Sequence, residues 1–242
     1  MIFKLIIDTT AISYSIRKSH RAKYVSISIS EDGVHVVAPI SMNDTEIISL
    51  VEKKRHWIIN KYENYHQRLL QLPVEREFIS GEKLLFKGDS YPLKVIESKG
   101  RFTNVNLTDG QLLVEIKVGL PFDIRREEIR RHLEKWYIRE ARELILERLE
   151  FFSGIIGVKV NNVRLKNQKT RWGSCSQKGN LNFNWKLVMA PLEIVDYVVV
   201  HELCHLKQMN HSARFWLLVE NQIRDYRKMR KWLKENGAKL YF

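Results

Sequence analysis

The run Val198-Val199-Val200-His201-Glu202-Leu203-Cys204-His205 admits few local structures. It reads H-E-x-x-H, and on an α-helix residues four apart sit about 40° apart around the axis and about 6 Å along it. His201 and His205 then leave one helical face, where two imidazoles reach a single Zn²⁺ through bonds of about 2.0–2.1 Å. Glu202 stands about 100° further round, outside the ligand pair but within reach of a water on the ion. The segment Tyr197-Val198-Val199-Val200 has β propensity. Pro191 nevertheless suits a first helical turn, and the histidine spacing requires a helix, expected over 192–208.

A catalytic zinc keeps three protein ligands and one open position. The third is His211, six positions beyond His205, or Glu220 on a later helix. For His211 to return, the helix must end and the chain must reverse, and Asn210 tolerates the left-handed backbone that such a reversal uses. Glu202 is the expected general base for a water attacking a carbonyl, delivering its proton afterwards to the leaving amine. Tyr226, Arg171 and His20 are the candidate oxyanion donors. The exposed edge of the hairpin ahead of the helix is expected to receive an extended peptide by strand addition. Hydrolysis of a non-peptide amide is a weaker alternative.

The 242 residues suffice for one large domain or two small ones, and 44% hydrophobic with 29% charged residues describes a folded chain. No apolar run approaches the ~20 residues of a membrane span. The apolar start, Met1 to Asp8, stops short of a signal-peptide core, so the default location is the cytoplasm and no membrane partner is expected. Cys175 and Cys204 make no disulfide framework. Cys204 reads as buried packing, and Cys175 as packing or as a thiol near the metal. The net charge is +13. Arg224, Arg227, Lys228, Arg230, Lys231, Lys234 and Lys239 crowd the end of the chain against Asp225 and Glu235. They form a solvated helix face or, as an alternative function, a nucleic-acid contact of an accessory protein whose zinc site is secondary.

Alternation predicts strands over 12–16, 24–29 and 34–38, with a hairpin turn at Glu31-Asp32-Gly33. The basic loop between the first two, 17–23, is a hairpin end or a phosphate patch. A helix is expected over 44–72, started by Ser41 and Asp44, striped by Ile47, Ile48, Val51, Trp57, Ile58, Tyr62 and Leu69, and ended by Pro73. Strands over 83–86, 91–96, 104–107 and 112–116 follow, with turns at Gly88-Asp89, Lys99-Gly100 and Asp109-Gly110. After Gly119-Leu120-Pro121 the pattern changes to a helix over 123–152 and strands over 158–160 and 163–165. A hairpin, 169–176 with 180–187, then leads to the motif helix.

Several stretches together carry a family resemblance. They are Arg171-Trp172-Gly173-Ser174-Cys175, Asn184-Trp185, Ala190-Pro191, Asp196 through Leu206, and Asn210-His211-Ser212 through Phe215-Trp216. Ile16-Arg17-Lys18-Ser19, Val36-Val37-Ala38-Pro39 and Lys54-Arg55-His56-Trp57-Ile58 extend the likeness over nearly the whole chain. The sequence resembles the YgjP-like metallopeptidases, relatives of the SprT and WLM zinc proteases. That resemblance implies a zinc peptidase with ligands His201, His205 and His211, base Glu202, and a peptide or protein substrate. Arg171, Trp172, Asn184 and Tyr226 are the candidate substrate-binding residues. One departure is Arg224, where the family pattern has a proline before Asp225-Tyr226. The implied fold is α+β: an antiparallel β-rich module with a long helix over 1–120, then a zincin-like core over 121–242.

Overall fold

The computed structural model describes residues 2–7, 10–30, 33–70, 76–100, 103–168 and 170–241. Two compact units result, Met1–Leu72 and Pro73–Phe242, each with its own apolar core.

In the first unit, β1 (Ile2–Ile7), β2 (Thr10–Ser19), β3 (Ser26–Ser30) and β4 (Gly33–Pro39) form one sheet in the order β1-β2-β4-β3. The sheet is mixed rather than antiparallel. After β2 the chain crosses to the far edge as β3 and returns between them, so β4 runs parallel to β2, with Tyr14 beside Val34. Of the expected hairpin turn, Glu31 and Asp32 lie outside the described residues. Alternation sends Val34, Val36 and Ala38 into the core. The expected single helix is two, α1 (Asp44–Lys53) and α2 (Arg55–Leu70), joined at Lys54. Its start is Asn43 rather than Ser41. The Asn43 side chain accepts from the Glu46 amide at 2.8 Å and Glu46 accepts from the Asn43 amide at 3.2 Å, a reciprocal capping box. Ile47, Val51 and Ile58 bury the apolar face; the side chain of Leu69, and Pro73, lie outside the described residues.

The second unit begins by repeating this arrangement. β5 (Lys83–Phe86), β6 (Asp89–Ser98), β7 (Asn104–Thr108) and β8 (Gln111–Lys117) order as β5-β6-β8-β7, again with the inner pair parallel and the outer pairs antiparallel. Val105 faces Val114 as Ile27 faces Val36. Asp109 and Gly110 turn the chain at φ 50° and 71°, the left-handed pair that a tight hairpin needs. A helix follows here too: α3 (Phe122–Ile156), longer than expected and closed by left-handed Gly157.

The pattern change at 120/121 therefore lies inside a single core. Leu112, Val114 and Ile116 of β8 pack in one cluster with Ile129, Leu133 and Tyr137 of α3, and the Tyr137 hydroxyl donates to the Leu85 carbonyl at 2.8 Å. The compact-unit boundary falls at Leu72/Pro73 instead, since an α-helix that continues a β unit carries that unit's core with it.

The remaining elements form the site. β9 (Asn162–Lys166), β10 (Gly173–Cys175) and β11 (Asn180–Asn184) make a sheet ordered β10-β11-β9, in which β9 runs parallel to β11. Residues 158–160 are not strand. Nor does the second hairpin arm reach 187: Asn184 caps a 3-10 helix, Trp185–Met189, by accepting from the Lys186 amide at 3.2 Å. Then come α4 (Leu192–His205), α5 (Ala213–Gln222) and α6 (Tyr226–Asn236). Helix α4 is apolar on nearly every face, as a central helix must be. It packs on α3, pinned by Arg148, whose guanidinium donates to both Asp196 oxygens at 2.6 and 3.0 Å. Among the described residues no helix is long and apolar enough to cross a membrane.

Candidate metal centre

Helix α4 places His201 and His205 on one face, as the spacing requires, and ends at His205. The Lys207 and Gln208 amides both close on the Cys204 carbonyl, and the His205 Nδ1 lies 3.1 Å from the Gln208 carbonyl. That contact fixes the ring and leaves Nε2 for a ligand. The reversal to His211 uses no left-handed residue at Asn210. The Gln208 side chain instead donates to the Asn210 side chain at 2.7 Å, so the turn is closed by side-chain hydrogen bonding.

His211 comes back far enough. The ligating atoms of His201, His205 and His211 lie within 4.8 Å of one another, and the Nε2 atoms of His201 and His211 are 3.0 Å apart. A tetrahedral zinc with bonds of about 2.0–2.1 Å separates its nitrogen ligands by roughly 3.4 Å, so the three imidazoles fit one ion. Burial, reinforced by the two neighbouring rings, drives His201 down to about 3. Burial likewise lowers His205, against the pull of its Gln208 contact. Both imidazoles are thereby neutral with free lone pairs, the form that binds metal. Glu220 is outside the cluster and pairs with Arg227 at 3.4 Å.

The first turn of α5 holds the rings. Ser212 caps it by accepting from the Phe215 amide at 3.4 Å. Phe215, fully buried, lies with its ring centre 4.9, 4.5 and 4.8 Å from those of His201, His205 and His211. Trp216 stacks on His211 at 5.5 Å and on Tyr226 at 5.1 Å. No metal-ligand rule points to these aromatics; their signals in the sequence were position, four and five residues after His211, and their place in the family resemblance.

Glu202 is 5% exposed, and its Oε2 has no hydrogen-bond partner among the described residues. Burial raises its pKa to about 8, opposed by the charge of Arg171. Burying a carboxylate without a partner costs free energy, and groups so perturbed gather at functional sites. Room for it comes from Gly173 on β10. A Cβ there would fall 2.7 Å from Glu202 Cγ and 2.8 Å from its carboxyl carbon, closer than atoms pack. Gly173 is not in the left-handed region, so space is what requires glycine. Cys175, two residues along β10, has its thiol pushed up to about 11 by burial and by Glu202, and buried Cys204 is also raised to about 11. Both are packing thiols rather than ligands.

Beside the triad opens a cleft of about 330 Å³, walled by His201 and Glu202 of α4, Trp172 and Gly173, and Arg230 and Lys234 of α6. Tyr197, one turn before His201, lines it as well. Of the expected substrate-binding residues, Trp172 reaches the cleft and exposed Arg171 acts on Glu202 by its charge. Asn184 is 3% exposed and its amide donates to the Gln168 carbonyl at 2.8 Å, so it secures the loop bearing Arg171. Lys169 of that loop lies outside the described residues. Tyr226 is buried and stacked against Trp216, with the Arg227 guanidinium carbon 4.9 Å from its ring centre. His20 is an exposed residue of the other unit.

No curated protein matches the chain. Solved structures similar to it include the metallopeptidase zymogen abylysin of Pyrococcus abyssi, 26% identical, covering 37% of this chain and 93% of that one, at a TM-score of 0.34. Another is the metallopeptidase zymogen jannalysin of Methanocaldococcus jannaschii, 21% identical, covering 38% and 94%, at 0.35. The family model of the YgjP-like metallopeptidase domain matches residues 23–236, and the chain belongs to that family.

Proposed function

We propose that this metallopeptidase is zinc-dependent, that His201, His205 and His211 hold the ion, and that Glu202 is the general base. The observation that carries the reading is the convergence of three imidazoles beside a buried carboxylate whose Oε2 has no hydrogen-bond partner among the described residues. Bound zinc supplies Lewis acidity, polarising the scissile carbonyl and bringing the pKa of a nearby water toward 7. Everything else falls to the chain. Glu202 takes the proton of the attacking water and returns it to the leaving amine. The notch at Gly173 keeps its carboxyl group in place, and the charge of Arg171 favours the ionised form that accepts a proton. Strand β10 pairs only with β11 among the described residues, so its outer edge is free to align an extended peptide.

Metal analysis and peptide hydrolysis test this together. One zinc per chain is expected, and Glu202→Gln should keep the metal while lowering turnover by about 10²–10⁴-fold. Wild-type protein that binds no zinc, or a Glu202→Gln variant with undiminished turnover, refutes it. His211→Ala should weaken zinc more than the roughly 10–100-fold typical of losing an outer hydrogen-bond partner of a ligand, whereas Glu220→Ala should leave affinity unchanged in a chelator competition.

A further inference from the structure

Helix α6 carries five basic residues, and they divide by face. Arg227 pairs with Glu220 at 3.4 Å, Lys228 with Asp225 at 3.1 Å and Lys231 with Glu235 at 3.8 Å. Arg230 and Lys234, one turn apart, point to the cleft and form no ion pair among the described residues. Two like charges at that spacing repel and do not help the helix. The acid that lines the cleft with them is Glu202, buried behind Gly173 and already committed.

Arg230 is also fixed in place. Its guanidinium carbon lies 5.2 Å from the centre of the Trp216 ring, the same indole that stacks on His211. A guanidinium resting on an aromatic face keeps its N–H edge free and pre-oriented. Its charge is near enough to His201 and Tyr197 to influence both. Against the indole that stacks on His211, then, stands a planar two-pronged donor with no acceptor among the described residues, backed by a flexible ammonium. Carboxylate oxygens match that fork, since two parallel N–H donors meet two oxygens.

We infer that Arg230, assisted by Lys234, binds a carboxylate of the peptide substrate beside the scissile bond, so that the enzyme prefers peptides with an acidic side chain or a free C-terminus there. This rests on the peptidase reading but is tested by binding. The full-length, zinc-loaded Glu202→Gln protein is titrated with capped, amidated peptides containing Asp or Glu, with their Asn or Gln counterparts, and with one neutral peptide as free acid and as amide. Tryptophan fluorescence or calorimetry reads the affinity. Carboxylate peptides should bind at least about tenfold tighter than neutral ones, since hydrogen bonds to charged groups are worth that much. Arg230→Ala should abolish the preference, Arg230→Glu should turn it toward Lys and Arg peptides, and Arg227→Ala on the solvent side should preserve it. The side-chain and terminal arms show which carboxylate is read.

Equal affinities for acidic and neutral peptides, no binding of either, or a preference that survives Arg230→Ala overturns the inference. Wild type that cleaves both sorts equally would do so while leaving the peptidase intact. Selective binding without any cleavage by wild type would instead sink the peptidase and leave the carboxylate site standing.

Discussion

Two opposed titrations lie side by side on α4. Burial takes His201 from 6.5 to about 3 and Glu202 from 4.5 to about 8. Between about 3 and 6.5 the unfolded chain binds the extra proton at His201, so stability of the metal-free protein falls as pH drops through that window. Between 4.5 and about 8 the folded chain holds the extra proton at Glu202, so stability falls as pH rises. Metal-free protein should therefore be most stable at about pH 4.5–6.5, and Glu202→Gln should lose the alkaline decline. Melting temperatures of chelator-treated wild type and variant across pH check this. An alkaline decline that persists in the variant assigns it to another group. Zinc would reinforce the first preference and reverse the second, because a dication repels protons from imidazole and carboxyl alike, so zinc binding should weaken as pH falls. Gly173→Ala makes a complementary test: its Cβ displaces Glu202, and turnover should fall at least tenfold with zinc retained.

At the scale of elements, α5 is what turns a two-histidine helix into a three-histidine site. Phe215 touches all three rings from a fully buried position. Phe215→Ala should cost about 3–5 kcal/mol in denaturant unfolding and weaken zinc binding, since the rings lose the surface that holds them. Phe215→Leu should recover most of the stability, and stability without ring order should leave the zinc affinity low. Elements with strong periodicity or turn chemistry were legible: strands β5 to β8, the long α3, and α4. What escaped was set by a partner elsewhere. The parallel pairing of β2 with β4 depends on where β3 lies, which alternation does not encode. The break at Lys54 and the 3-10 turn after Asn184 likewise follow from caps and packing rather than period.

Across the whole molecule, a β-β-β-β-α arrangement occurs twice, once in a unit that ends at Leu72 and once built into the unit that carries the three-histidine cluster. The two cores share no residue. Scanning calorimetry should accordingly show a transition that rises with added zinc, from the second unit, and another that stays fixed, by the rule that a ligand stabilises only what it binds. A single transition moving as one with zinc would show the units to be one cooperative block. The Asp109-Gly110 turn of the second repeat was visible in the sequence. The topology that the two repeats share was not, because similar strand order leaves no fixed residue behind.

The sequence by itself determined the chemistry of the motif: four-residue spacing on a helix leaves His201 and His205 no choice of face, and Glu202 no place among the ligands. It also named His211 and Glu220 as rivals. Only the tertiary structure brings His211, and not Glu220, beside the two histidines, because that depends on how the chain turns after His205 and on Phe215 and Trp216 packing against the rings. The notch at Gly173 and the cleft face of Arg230 belong to the same class. Each is a relation between residues far apart in the chain, and periodicity records only neighbours.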